Sequence, residues 1–392
     1  MAQAFDAIVI GGGINGCSTA LELSRQGLRV ALMEKDTIGA GPTGKSSAII
    51  RQHYSNEITA RMALYSLRVF QDFAEAVGGE SGYTASGYLA IVVARDQHSM
   101  EANIAMHRRV GIKTELISAA ATRDLFPGIV TDDFVAAAYE PEGGYADPYS
   151  TVNAYADACK RSGVQVMVET EVTGVRFAGG KAAGVDTRRG PFDAPVVVNC
   201  AGPWGARVAK MAGVEGIPIN ACRSQVTFFK RPKGHEASHP VLSDFNNGSY
   251  FRAETGGITA VGLIDPEEAN HIVDPDKVSE AVSPEFVMIT GERFIQRYPA
   301  MEAAEVRGGY ASLYDITPDW HPIIDEVPHG SGFYICAGFS GHGFKLGPAV
   351  GRLTADLVTK VTDPLFSAHA FRLSRYEENE PIRGQYEYSI IG

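Results

Sequence analysis

The stretch from residue 7, "AIVIGGGINGCSTALELSRQGLRVALMEKD", leaves few folds open to this chain. Ala7 to Ile10 form a short, wholly apolar run, the pattern of a parallel strand buried on both faces. Gly11, Gly13 and Gly16 follow at GxGxxG spacing. Ala20, Leu21, Leu23 and Leu28 then line a helix, and "RVALME" returns as a second strand ending in Glu34. Strand, glycine turn, helix and strand in this order predict a βαβ unit.

Each glycine has a physical task in such a unit. Gly11 permits the tight turn, Gly13 lets a pyrophosphate approach the backbone, and Gly16 lets the helix pack against the strand. Ile14 and Asn15 open the helix, where free N–H groups and the helix dipole favour an anion. Glu34, with Lys35 beside it, falls about 20 residues on, where an acid accepts hydrogen bonds from a ribose. The unit therefore predicts a dinucleotide site. It leaves NAD and FAD both open.

The 392 residues suffice for two domains or one large interrupted one. A formal net charge of −11 argues against a nucleic-acid surface, and the basic run "KRPKGH" (230–235) reads as a solvated loop. Five scattered cysteines with no CxxC pair read as reduced thiols, and the ten histidines show no metal-ligand spacing, so no metal is expected. The N-terminus lacks a basic region followed by a long apolar core, and no run approaches the roughly 18 apolar residues of a membrane helix. A cytoplasmic protein without a membrane span is the expectation.

A second alternating zone spans 148–187, with a hairpin "EVTGVRF"/"AAGVDT" joined at Gly179–Gly180, and "APVVVNCAGPWGARVAKMAG" (194–213) adds a buried strand, a glycine turn and a helix. Segments such as "YLAIVVA", "QVTFFKR", "GSYFRAE" and "GITAVGLI" instead read as alternating strands. The predicted class is α/β. A discontinuous Rossmann-type domain (1–83, 146–216 and 314–392) is interrupted by a mainly antiparallel α+β domain (84–145 and 217–313).

At this point five segments in order resemble the D-amino-acid oxidase superfamily of FAD proteins. They are the N-terminal fingerprint, "GPTGKSSAIIRQHY" (41–54), "VVVNCAGPWG" (196–205), "LYDITPDWHPIID" (313–325) and "GFSGHGFKLGP" (338–348). The likeness spans essentially the whole chain. It is nearest the branch of sarcosine oxidase, dimethylglycine and sarcosine dehydrogenases, and glycine oxidase. The resemblance implies FAD as cofactor and a small amino-acid substrate with a carboxylate.

It also implies site residues. The final glycine-rich turn, Gly338, Gly341, His342, Gly343 and Phe344, would lie beside the isoalloxazine, serving it by main-chain N–H groups and the positive end of a helix dipole. His342 is read as a turn residue, not a base. Ser46 and Ser47 would hydrogen-bond the flavin edge, Val172 would hold the adenine side, and Ala201, Gly202 and Trp204 would pack along the ribityl and phosphate chain. Arg51 and Lys345 match the pair that grips the substrate carboxylate, a planar guanidinium bidentately and a lysine as a point charge. Tyr250 and Arg252 alternate on "GSYFRAE", share one face of a strand and are placed to border the cavity.

The departures from the family are informative. Ser312 stands where monomeric sarcosine oxidase carries its flavin-tethering cysteine, and "TGKSSA" replaces the stretch holding the tethering histidine of dimethylglycine dehydrogenase, so FAD is expected to be noncovalent. Tyr314 replaces the carboxylate-binding arginine of glycine oxidase. "ETGGITAVG" (254–262) lacks the oxygen-activating lysine of sarcosine oxidase, which favours an electron acceptor other than O2. The expected activity is oxidation of an N-substituted glycine such as sarcosine, dimethylglycine or iminodiacetate. The alternatives are a D-amino-acid or proline dehydrogenase, a 2-hydroxyacid oxidoreductase, or a noncatalytic FAD-binding subunit of an amine-oxidising complex. A homo-oligomer or a subunit of a complex is the expected assembly, with O2 or a redox partner taking the electrons.

Overall fold

The structure is a computed structural model describing residues 3–264 and 271–384. Residues 1–2, 265–270 and 385–392, which the expected domains include, lie outside the described residues. The strand Ala7–Ile10 sits inside a six-stranded sheet, beside Val30–Met33 and then Gln165–Met167 on one side. On the other side come Val196–Asn199, Phe333–Ala337 and Ile323–Glu326. Every pairing is parallel except that of the last two strands. Alternate residues of the central strand supply two cores: Ala7 and Val9 face the helices of one layer, Ile8 and Ile10 the other.

One layer is fixed by glycine. The helix Gly343–Thr359 lies on the first helix, Ile14–Arg25. A β-carbon on Gly347 would stand 2.6 Å from Ile14 Cγ1, and one on Gly351 would stand 2.0 Å from Ser18 Oγ. The two helices approach as closely as they do because those side chains are absent. At the sheet end of the first helix, a β-carbon on Gly16 would meet the Gly11 carbonyl oxygen at 1.9 Å, while Gly11 itself has φ +110°. Both observations agree with the tasks read from the sequence.

An eight-stranded sheet accounts for the other half. In spatial order it runs Glu305–Ile316, Asn220–Lys230, Ile258–Leu263, Ser249–Glu254, Val241–Asp244, Tyr88–Ile91, Ala136–Glu140 and Glu115–Ser118. It is antiparallel but for the pairing of Val241–Asp244 with Tyr88–Ile91. Glu305–Ile316 is continuous, so the junction expected at 313/314 falls inside a strand. The sequence reading gave this half as α+β but placed none of its helices. Pro284–Arg297 is one of them, with Ser283 Oγ accepting the Phe286 N–H and Pro284 in the first turn. Its buried Arg297 reaches Asp244 at 2.6 Å and Asp133 at 2.8 Å, and Phe294 stacks on Phe251 at 5.0 Å.

The predicted hairpin is present as Val172–Ala178 against Lys181–Thr187, turning at Gly179 and Gly180, both with positive φ. It belongs to a separate four-stranded sheet. Among the described residues no helix is long and apolar enough to cross a membrane.

Gly351→Ala tests the helix contact, because Ser18 main-chain as well as side-chain atoms block the new β-carbon. The expected result is a loss of about 1–3 kcal/mol, read as a lowered thermal midpoint. An unchanged midpoint would mean that the helices stand farther apart.

Candidate active site

A cleft of 570 Å³ runs between the two large sheets. Its walls join the N-terminal turn, residues 40–51, the 200–204 turn, the strand Glu305–Ile316 and the start of the last long helix. Gly11, Gly13, Ile14, Asn15, Glu34 and Lys35 all line it. Gly13 precedes the first helix in extended conformation. The Glu34 carboxylate accepts the Gly12 N–H at 2.6 Å and the Asp36 N–H at 2.8 Å, so the acid also ties the glycine loop to the end of its strand.

Ser46, Ser47, Val172, Ala201, Gly202 and Trp204 face the same cleft. Lys35 Nζ sits 3.6 Å above the Trp204 ring, and Trp204 Nε1 donates to Asp276 at 2.7 Å. Asp276, Pro275, Val278 and Glu280 also line the cleft. Nothing in their sequence marks them, since they reach the site only through the packing of the sheet half over the nucleotide half. Arg207 binds Asp274 and Asp276, and Lys45 binds Glu280, so ion pairs hold this segment across the opening.

At the end nearest the eight-stranded sheet, Arg51, Tyr250, Gly341, Gly343, Phe344 and Lys345 come together. Tyr250 Oη lies 2.6 Å from Ser47 Oγ. Tyr310, Ser312, Tyr314 and Asp315 of the strand Glu305–Ile316 join them. Asp315, which the sequence reading did not single out, accepts the Gly338 N–H at 2.7 Å and pins the glycine-rich turn. Burial pushes its carboxyl up to about 6.

Four residues named from the sequence stand outside the lining. Gly16 packs behind Gly11, and Gly338, with φ +84°, packs against Thr317 and Ile219. His342 turns away to Tyr54, with Nδ1 3.1 Å from the phenol oxygen. Arg252 shares the face of Tyr250 as expected, but its guanidinium is taken up by the Ser47 carbonyl and Glu254 and lies over Tyr145 at 4.7 Å.

Arg51 and Lys345 are different. Arg51 is 2% exposed and Lys345 5%. Arg51 donates through Nη1 to the His53 carbonyl, while Nη2 has no hydrogen-bond partner among the described residues. Lys345 Nζ has a carbonyl contact at 3.4 Å with Gly341. Burial first, and the Arg51 charge second, hold the Lys345 ammonium well below its ordinary value. Among the described residues neither cation pairs with an acid. Two desolvated basic side chains thus line one cavity.

The extended backbone at Gly13, the capped glycine loop and the continuous cleft from Glu34 to Lys345 fit an extended dinucleotide. Comparison with known proteins agrees. The model of the DAO family, described as FAD dependent oxidoreductase, matches residues 6–357. Human mitochondrial sarcosine dehydrogenase is 27% identical over 95% of this chain and 42% of its own length. The chain thus spans about two fifths of that relative. Sarcosine oxidase subunit beta of Rhodobacter capsulatus is 26% identical, covering 96% of this chain and 90% of the subunit. The solved L-proline dehydrogenase from P. horikoshii superposes with a TM-score of 0.89 at 28% identity, over 97% of this chain and 100% of that one. With a family match running almost from end to end and a cleft shaped for its cofactor, the chain belongs to the FAD-dependent oxidoreductases of the DAO family.

Proposed function

We propose that this chain oxidises the C–N bond of a small secondary or tertiary amino acid, most simply an N-substituted glycine, to an imine that water hydrolyses. The observation that carries the reading is the pair of buried cations, Arg51 and Lys345, facing the cleft with no acid partner among the described residues. A substrate carboxylate supplies the missing charge. It engages the unpartnered Arg51 Nη2 and restores the protonated state of Lys345 that burial disfavours.

FAD, when bound, takes up the hydrogen and electron pair removed from the carbon beside nitrogen. The chain places that carbon. Arg51 and Lys345 fix the carboxylate, and Tyr250 and Phe344 wall the same end of the cleft. No side chain is assigned as a base, because an amine bound unprotonated can lose a hydride from carbon without first giving up a proton; the protonated imine or iminium that results is what water hydrolyses. His342 is turned to Tyr54 and does not line the cleft, which supports this simpler course.

Ser312 on the cleft wall offers no thiol for a flavin tether, which supports noncovalent FAD. The likeness to an L-proline dehydrogenase favours a cyclic secondary amino acid as a second substrate reading. The likeness to a subunit beta favours membership of a complex, with electrons leaving to a partner.

Anaerobic flavin bleaching against N-alkyl glycines, proline and D-amino acids is expected to select a secondary or tertiary amine with a free carboxylate; bleaching by none of them would remove the enzymatic reading. Gly13→Val is expected to abolish FAD retention, and acid is expected to release FAD intact from the native chain. Retained cofactor in the variant would remove Gly13 from the pyrophosphate path, and flavin left on the denatured polypeptide would mean a covalent link. Lys345→Met and Arg51→Lys are expected to keep FAD while losing about 2–5 kcal/mol of substrate interaction, or one to four decades in kcat/KM. A substrate amide should be poor in the native chain and little worse in the variants. Equal penalties for acid and amide in Lys345→Met would show that this lysine reads no carboxylate.

A further inference from the structure

A buried polar cluster outside the cleft lining backs Arg51. The three residues after it, Gln52, His53 and Tyr54, are all buried. The Gln52 main-chain N–H donates to Glu140 Oε2 at 2.8 Å. Glu140 ends the strand Ala136–Glu140 and is 0% exposed. Its other oxygen, Oε1, has no hydrogen-bond partner among the described residues and lies 3.9 Å from His53 Nδ1.

The groups around this carboxyl come from three elements. His53 and Tyr54 belong to the segment following Ile49–Ile50, Tyr88 to the strand Tyr88–Ile91, and His107 to the helix Gln97–Val110. His107 Nε2 lies 2.7 Å from the Tyr54 carbonyl oxygen, so that nitrogen carries the hydrogen and Nδ1 is left as a lone pair. Burial holds both imidazoles neutral, His53 well below its ordinary value and His107 down to about 4. It raises both phenols, Tyr88 up to about 12. Arg51 is the charged group that acts on Glu140.

We propose that Glu140 is a positioning residue for Arg51 and its proton-exchanging counter-charge, setting how strongly Arg51 attracts a carboxylate in the cleft. The inference rests on the carboxylate reading above. The bond to Gln52 N–H fixes the main chain beside Arg51 in either protonation state. Ionised, Glu140 offsets the guanidinium field across a low-dielectric interior; protonated, it leaves that field whole.

Burial pushes the Glu140 carboxyl up to about 7, against the lowering effects of Gln52 N–H and Arg51. An anion arriving at Arg51 disfavours the ionised acid further, so binding takes up a proton, and by reciprocity affinity falls as pH rises through 7. Lys345 acts in the same direction from within the cleft, and Asp315 titrates lower, at about 6. Only a change at Glu140 isolates its share.

His53, His107 and Glu140 bring ligand atoms within 4.8 Å of one another. A divalent ion there would add to the Arg51 charge with one carboxylate to offset it, which is the wrong sign for a fully buried site. The counter-charge role suits the same geometry without that conflict.

The test uses the FAD-loaded full chain, acetate as probe, and the flavin absorbance change as readout from below to above pH 7. The acetate Kd of the native chain is expected to weaken about tenfold across this range, a coupling of ordinary size. Glu140→Gln keeps an acceptor for Gln52 N–H and is expected to lose Glu140's share of this weakening, so that its affinity falls less than the native one from below to above pH 7. A variant profile superimposable on the native one overturns the proposal and leaves the carboxylate reading standing. Acetate that neither binds nor competes with a bleaching amine overturns both. If the variant does not fold, glutamate-selective carboxyl labelling of the native chain gives a second readout. One glutamate resonance should titrate near 7 and move higher with acetate, and its absence overturns the proposal.

Discussion

The contact on which the molecule depends is backbone against backbone at the mouth of the first helix. Gly16 stands so close to the Gly11 carbonyl, and Gly11 to the Cys200 carbonyl, that any β-carbon at either place would collide. This approach seats the helix N-terminus at the edge of the six-stranded sheet, where strand ends and helix dipole meet. Gly347 and Gly351 repeat the device one layer away and lay the last long helix on the first. Both helix starts, with Gly13 and Gly343, therefore open on one cleft.

Electrostatics at the far end of that cleft run against ordinary interior chemistry. Arg51 and Lys345 are buried with no acid facing them among the described residues, and burial of Lys345 disfavours its charge. Such an arrangement is held in place by the fold and not by its own attraction. The two nearby acids are each occupied with backbone: Asp315 with the Gly338 N–H and Glu140 with the Gln52 N–H. Neither forms an ion pair with Arg51 or Lys345 among the described residues. A pocket that keeps cationic donors unpaired is prepared for an anionic ligand, since their desolvation has already been met during folding.

The opposite end is closed by another principle. The segment holding Asp274, Asp276 and Glu280 belongs to the sheet half, yet it meets Arg207, Trp204, Lys35 and Lys45 of the nucleotide half. These pairs are partly exposed, so each is weak and sensitive to salt. Their value lies in registering the two halves across the cofactor cleft.

The sequence by itself determined the parts whose signal is local. The GxGxxG turn, the buried strand before it and Glu34 after it specify a dinucleotide fold because close backbone approach, parallel-strand burial and ribose recognition each need one residue type at one spacing. The Gly179–Gly180 hairpin was legible for the same reason. Arg51 and Lys345 were legible only through family resemblance, being 294 positions apart in a chain of 392 residues. Tertiary structure decided the rest. It brought Asp276, Tyr310 and Asp315 to the cleft, turned His342 to Tyr54 and gave Arg252 to Glu254. It also ran Glu305–Ile316 unbroken through an expected domain junction. None of these can be read locally, because strand register and helix packing fix them, and both are settled by contacts between residues far apart in the chain.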